Sequence, residues 1–154
     1  MSLIITICSI LIAEAAGILG SVFTYSGVKS WYPTLMKPTW NPPSWIFGPV
    51  WTTLYALMGI AASLVWNLRD RPGAKLALWV YGTQLALNAI WSILFFGLKN
   101  PGLAFAEIIP LLALIILTTV LFWRINAWAG ILLLPYVAWV SFATYLNYTL
   151  WQLN

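Results

Sequence analysis

Eleven tryptophans and no histidine bound the chemistry open to this chain of 154 residues. An indole stacks, packs and donates one hydrogen bond. Histidine, the commonest metal ligand, is absent. A single cysteine, Cys8, excludes an internal disulfide and a cysteine-based metal cluster. It lies in an apolar stretch and reads as a small core residue. No metal and no required cofactor is expected. No nucleophile–base pair stands out. What the residues can do is hold a flat apolar ligand. Three groups have the spacing for it. Trp51 and Tyr55 are one helical turn apart; Gln84, Asn88 and Trp91 fall at i, i+4 and i+7; Trp139, Ala143 and Asn147 repeat at i+4. Each group puts an aromatic side chain on a helix face shared with an amide, a small residue or a second aromatic. Each also has a plainer reading as aromatic core, interhelical hydrogen bonding or close packing at a small residue.

The elements that must position these residues follow from composition. The chain is 62% hydrophobic and 6% charged, with a mean hydropathy of +0.91. A soluble domain of this size lacks the polar surface to cover so apolar an interior. An integral membrane protein is the class that fits. Five apolar runs, 3–24, 45–66, 76–98, 103–123 and 127–151, are each long enough to span a bilayer, which takes roughly 20 helical residues. They do not alternate as β-barrel strands would. The expected fold is therefore all-α: five transmembrane helices in an up-down bundle, one domain over 1–154. The N-terminal run lacks a basic flank and reads as a retained first helix.

The breaks agree. Residues 67–75 (NLRDRPGAK) gather charge, Pro and Gly, 99–102 (KNPG) read as a tight turn, and 124–126 form a very short last connection. Short connections favour antiparallel neighbours. The first connection differs. Residues 25–44 (YSGVKSWYPTLMKPTWNPPS) are long, aromatic and rich in proline. A loop of that length is usually functional, and this one is expected as a structured lid, with Trp31, Tyr32 and Trp40 closing the top. Arg69, Arg71, Lys75 and Arg124 share one side with the N-terminus, against Lys29, Lys37 and Lys99 on the other. The positive-inside rule then favours a cytoplasmic N-terminus by one residue. The net charge of +4 is scattered through loops, so no nucleic-acid partner is expected.

Inside a bilayer an amide is expensive unless paired, so Gln84 and Asn88 should face inward. Hydrogen bonding between helices is the plainer role for Gln84; for Asn88 it stands beside ligand contact, and Asn147 stays open in the same way. Glu14 and Glu107 are the carboxylates inside the spans. Glu14 reads as structural, and Glu107 as nearer the interface. Small residues Ala13/Gly17 and Ala16/Gly20 on the first helix, and Gly82/Ala86 on the third, permit close approach within the bundle or at a dimer seam. Six tryptophans, at 31, 40, 45, 66, 123 and 151, fall near membrane surfaces, where indoles belong. Trp79 and Trp128 are harder to dismiss as anchors, and Trp51, Trp91 and Trp139 lie deeper.

Longer motifs point to a family. Trp31-Tyr32-x-x-Leu35-x-Lys37-Pro38-x-Trp40-x-Pro42-Pro43 resembles the first-loop signature of the tryptophan-rich sensory protein and translocator protein family. Gly48-Pro49-Val50-Trp51-Thr52-x-Leu54-Tyr55 resembles the start of that family's second helix, and Leu87-Asn88-x-x-Trp91-Ser92 the middle of its third. Pro135-Tyr136-x-x-Trp139-x-x-Phe142-Ala143-Thr144-Tyr145-Leu146-Asn147 resembles its fifth. The resemblance implies a five-helix protein, often a homodimer, in a bacterial cell membrane. It implies a receptor or regulator that binds protoporphyrin IX-like tetrapyrroles and isoquinoline or benzodiazepine ligands. The pocket would be lined by Tyr32, Trp40, Trp51, Tyr55, Asn88, Trp91, Trp139, Ala143 and Asn147. Two alternatives come with it: light- and oxygen-dependent porphyrin breakdown, with Trp51 and Trp139 as the redox-active rings, and transport of small apolar molecules. Sterol binding is not carried over, because Leu146 and Tyr148 are followed by no basic residue before the chain ends at Asn154.

Overall fold

The computed structural model describes residues 2–154. Five long helices make the fold: α1 (Leu3–Ser30), α2 (Phe47–Trp66), α3 (Ala74–Ser92), α4 (Pro101–Ile125) and α5 (Ala127–Leu153). No strand occurs among the described residues. All five helical segments are long and apolar enough to cross a membrane. The chain is a multi-pass integral membrane protein.

The helices close into a ring. α1 packs on α2 and α3, α4 on α3 and α5, and α5 returns to α2. The core between them holds Met58 of α2, Ile115 and Phe122 of α4, and Leu133 of α5. Among consecutive helices α2 and α3 pack least, so the short 67–73 connection does not make them close neighbours. α1 instead lies against both. Its approach to α2 is set by Gly59, where an added Cβ would stand 2.4 Å from the Ile10 Cα. Only a residue without a side chain lets the two backbones meet there.

The helix ends correct the sequence reading in one large respect. α1 does not stop at residue 24; it runs to Ser30, so the first connection starts six residues later than expected and runs over 31–46. Tyr25-Ser26-Gly27 falls in the stretch expected as loop, and Gly and Ser are weak helix formers. Gly27 is needed here for contact, since a Cβ would meet the Phe96 ring at 2.8 Å. Ser30 and Lys29 fasten the last turn through Ser26 and Tyr25. The remaining connection carries two short 3-10 turns, Tyr32–Thr34 and Ser44–Ile46. It is pinned to the far end of the chain: the Met36 amide donates to Asn154 Oδ1 at 2.9 Å, and Asn154 Nδ2 donates to the Met36 carbonyl at 2.9 Å.

Elsewhere the turn chemistry is local. Lys99 takes the left-handed conformation with φ 53°, and Asn100 caps α4 by accepting from the Leu103 amide at 2.9 Å. Asn126 alone joins α4 to α5 and caps the latter through the Trp128 amide at 2.9 Å. The end of the third span, Ile93–Gly97, is one π-helical turn. Cys8 is exposed on α1 and is not a core residue. Lipid faces that surface, and a small apolar thiol sits there as comfortably as in the core.

Candidate functional site

A cavity of about 300 Å³ lies between α1, α2, α3 and α5 at the end of the bundle that carries the first connection. Each wall comes from a short stretch of sequence. On α2, Trp51 and Tyr55 point in from successive turns, their ring centres 5.6 Å apart. From α3, Asn88 and Trp91 point in on the shared face that their spacing requires. α5 contributes Trp139, Ala143 and Asn147, with Ala143 leaving room beside the indole. Tyr32 closes the loop end and is almost fully buried.

Hydrogen bonds fix these walls. The Tyr55 hydroxyl donates to Asn88 Oδ1 at 3.1 Å, and Asn88 Nδ2 donates to the Tyr136 hydroxyl at 2.6 Å. Tyr136 in turn donates to Gln84 Oε1 at 2.7 Å. This chain ties α2, α3 and α5 together across the bundle. It gives Gln84 the structural role expected of it. Asn88 serves both as strut and as cavity wall. Asn147 does the same: its Oδ1 accepts from the Trp91 indole at 3.0 Å, and its Nδ2 donates to the Pro101 carbonyl at 2.8 Å. In a medium without water such pairs hold the helices in register.

The loop end is aromatic throughout. Tyr32 donates to Asn41 Oδ1 at 2.8 Å, and Lys37 sits over its ring at 5.0 Å. Burial pushes the Tyr32 phenol above its ordinary value, partly offset by the Asn41 hydrogen bond. Trp91 stacks on Phe95 with ring centres 5.1 Å apart.

Eight of the nine residues expected at the site line this cavity; Trp40 does not. Its ring is partly exposed and stacks on Tyr145 at 5.2 Å, with Phe142 edge-on at 6.0 Å. Phe142 lines the cavity in its place. Trp31 is likewise held outside, edge-on to Phe95 at 5.5 Å. Trp79 and Trp128, which were hard to place, are exposed on the outer surface, where indoles meet lipid.

Several lining residues escaped the sequence reading. Phe95 and Phe96 both face the cavity although they are adjacent, because the π-helical turn rotates them off the ordinary 3.6 period. Phe47 sits just inside the start of α2 and packs on Trp139 at 6.1 Å. The α1 wall, with Glu14, Gly17, Ser21 and Thr24, was not foreseen. α1 is apolar on all sides and advertises no inward face. Gly17 admits the Tyr55 ring, which a Cβ would approach to 2.4 Å. Gly20 lies against Ser92 of α3, so the small residues of α1 serve the bundle interior. Gly82 of α3 has nothing within 4 Å of an added Cβ.

Glu107 is not at the cavity. Both of its carboxyl oxygens are buried on α4 without a hydrogen-bond partner, as is the Tyr81 hydroxyl.

The cavity also reaches the side of the bundle. Its exposed lining residues are Ile18 and Ser21 of α1 and Gly48 and Thr52 of α2. Below them the two helices touch at Gly17 and Gly59; at Gly48 the space is open.

Comparison with known proteins gives the family. Residues 9–152 match the TspO/MBR family. The chain is 42% identical over 154 residues to a tryptophan-rich protein TspO of Archaeoglobus fulgidus, covering 100% of this chain and 99% of that protein. It is 42% identical over 144 residues to a protein of the same name from Chlorobaculum tepidum, covering 91% and 89%. It is 40% identical over 139 residues to the human translocator protein, covering 88% and 81%. The bacterial and archaeal relatives fit a place in a bacterial cell membrane. From Cys8's neighbour Ser9 to the last turn of α5, then, the chain belongs to the TspO/MBR family.

Proposed function

We propose that this protein is a membrane receptor or regulator that binds flat tetrapyrroles of the protoporphyrin IX type, and isoquinoline or benzodiazepine ligands, in the cavity between α1, α2, α3 and α5. The observation that carries the reading is the lining: Trp51, Trp91 and Trp139 stand on three different helices around one apolar space. Each favourable ring–ring contact adds about 0.5–1.5 kcal/mol beyond the area it buries. Small-molecule sites span roughly 300–1,000 Å³. A cavity of about 300 Å³ is at the lower end, so a macrocycle would project an edge through the opening between α1 and α2. Ligand carboxylates would lie toward Lys29 and Lys37. The homodimer belongs to the same reading, with the exposed α3 surface around Gly82 and Ala86 as the face to test by crosslinking in the membrane.

The test is tryptophan fluorescence quenching on titration with protoporphyrin IX. Saturable quenching is expected, weakened about tenfold by Trp139→Phe, the equivalent of one good stacking contact. Linear, unsaturable quenching that Trp139→Phe leaves unchanged would remove the proposal.

A further inference from the structure

One lining residue carries a carboxylate. Glu14 brings a carboxyl to the cavity from α1. It makes no hydrogen bond or ion pair with any described residue. Its neighbours on the outer surface of α1, Leu11, Ile12 and Leu19, are large, apolar and exposed. A carboxyl turned that way would enter hydrocarbon, at a cost of several kcal/mol. The cavity, which carries Asn88 and several hydroxyls among its apolar walls, is the alternative, and no lysine or arginine lines it.

Most of the neighbouring polar groups are already committed. Tyr55 donates to Asn88 and Asn88 to Tyr136. The hydroxyls of Ser21, Thr24 and Thr52 turn back on carbonyls of their own helices. Glu14 therefore stands unpaired at the cavity, as an acceptor open to a donor that a ligand brings. It is also placed at the inner end of the cavity. It lies 15 residues before Lys29 on the same helix, about 22 Å at 1.5 Å per residue. The site is thus polarised, with lysines near the loop end and one carboxyl within.

We infer that Glu14 is a ligand-recognition residue that accepts a hydrogen bond from a nitrogen of the ligand, an ammonium or a ring N–H, and so selects nitrogen-bearing aromatic ligands over neutral hydrocarbon ones of the same shape. The inference rests on reading the cavity as a ligand site. It adds an orientation: nitrogen inward toward Glu14, acidic groups outward toward Lys29 and Lys37. Hydrogen bonds to charged groups are worth enough to change affinity about tenfold or more.

The experiment compares two three-ring probes, 9-aminoacridine, which is cationic at neutral pH, and anthracene, which is not. Both are titrated into the detergent-solubilised full chain as wild type, Glu14→Gln and Glu14→Asp. Glu14→Gln keeps the shape and removes the charge. Its helicity and melting temperature check the fold, and the shortened arm of Glu14→Asp supplies a second variant. The expected result is an aminoacridine affinity about tenfold lower in Glu14→Gln, intermediate in Glu14→Asp, with anthracene unchanged. Equal effects on the two probes, or none on aminoacridine, overturn the inference. Protoporphyrin IX titrated into the same samples separates the two readings. If porphyrin saturates while aminoacridine ignores Glu14, the inference falls and the tetrapyrrole site stands. If aminoacridine depends on Glu14 while porphyrin does not saturate, the reverse holds. Binding of none of the three overturns both.

Discussion

At the scale of single residues, the polar side chains divide into struts and orphans. Asn147 is a strut, joining the Trp91 indole to the Pro101 carbonyl. Asn147→Leu removes both bonds and leaves buried partners unpaired, which costs about 1–3 kcal/mol. The expected outcome is a lower melting temperature in detergent and a shifted Trp91 emission; an unchanged melt would mean that the two bonds contribute nothing. Glu107 is an orphan, with both carboxyl oxygens buried and unpartnered. Replacing an unsatisfied group by an apolar one of similar size removes a desolvation penalty, so Glu107→Leu should raise the melting temperature. A lowered one would show that Glu107 has a polar neighbour in the folded membrane protein. Residue roles were legible where polarity marked a face. An amide in an apolar helix must turn inward, so Asn88 and Asn147 declared their side of α3 and α5. Glu14 obeys the same rule, but one carboxyl on a helix otherwise apolar all round did not say which neighbour it faced. Trp40 was misplaced because a loop has no period from which a direction can be read.

At the scale of elements, helix contact is governed by where side chains are missing. Gly59 and Gly82 show the contrast. A Cβ at Gly59 would strike the backbone of α1 at Ile10, while one at Gly82 meets nothing within 4 Å. Gly59→Ala must push α1 from α2 and should destabilise by about 1–3 kcal/mol, the usual cost of overpacking. Gly82→Ala should stabilise by roughly 0.5–1 kcal/mol through helix propensity alone. Thermal melts of the two variants in one detergent check this, and a shift of the same sign in both would defeat the argument. The five helices were legible because apolar runs of spanning length leave little choice. The extension of α1 to Ser30 was not, because a tertiary contact, Gly27 on Phe96, overrides local propensity. The π-helical turn at Ile93–Gly97 was hidden for a related reason: one extra residue in a turn leaves composition and hydropathy unchanged.

At the scale of the whole molecule, the clamp at one end and the gap at one side decide how a ligand reaches the cavity. The loop end is held by the paired hydrogen bonds between Met36 and Asn154 and by the proline-stiffened segment around Lys37-Pro38 and Pro42-Pro43. The side is different. The exposed part of the lining belongs to α1 and α2 alone, and Gly48 borders open space there. In the membrane that side faces lipid, which is where apolar ligands concentrate. Access should therefore run laterally between α1 and α2. A bulky residue at Gly48, on the rim of this opening, tests this without moving the backbone, since nothing lies within 4 Å of an added Cβ. A gate acts on association and dissociation together. Gly48→Trp should slow both rates for protoporphyrin IX, with the equilibrium constant shifting only as far as the indole meets the projecting edge of the macrocycle. Stopped-flow quenching in lipid nanodiscs measures both rates. Unchanged rates would move the route to the loop end, and the same experiment on Asn154→Ala, which releases the Met36 clamp, should then show the faster exchange that a lateral route does not require.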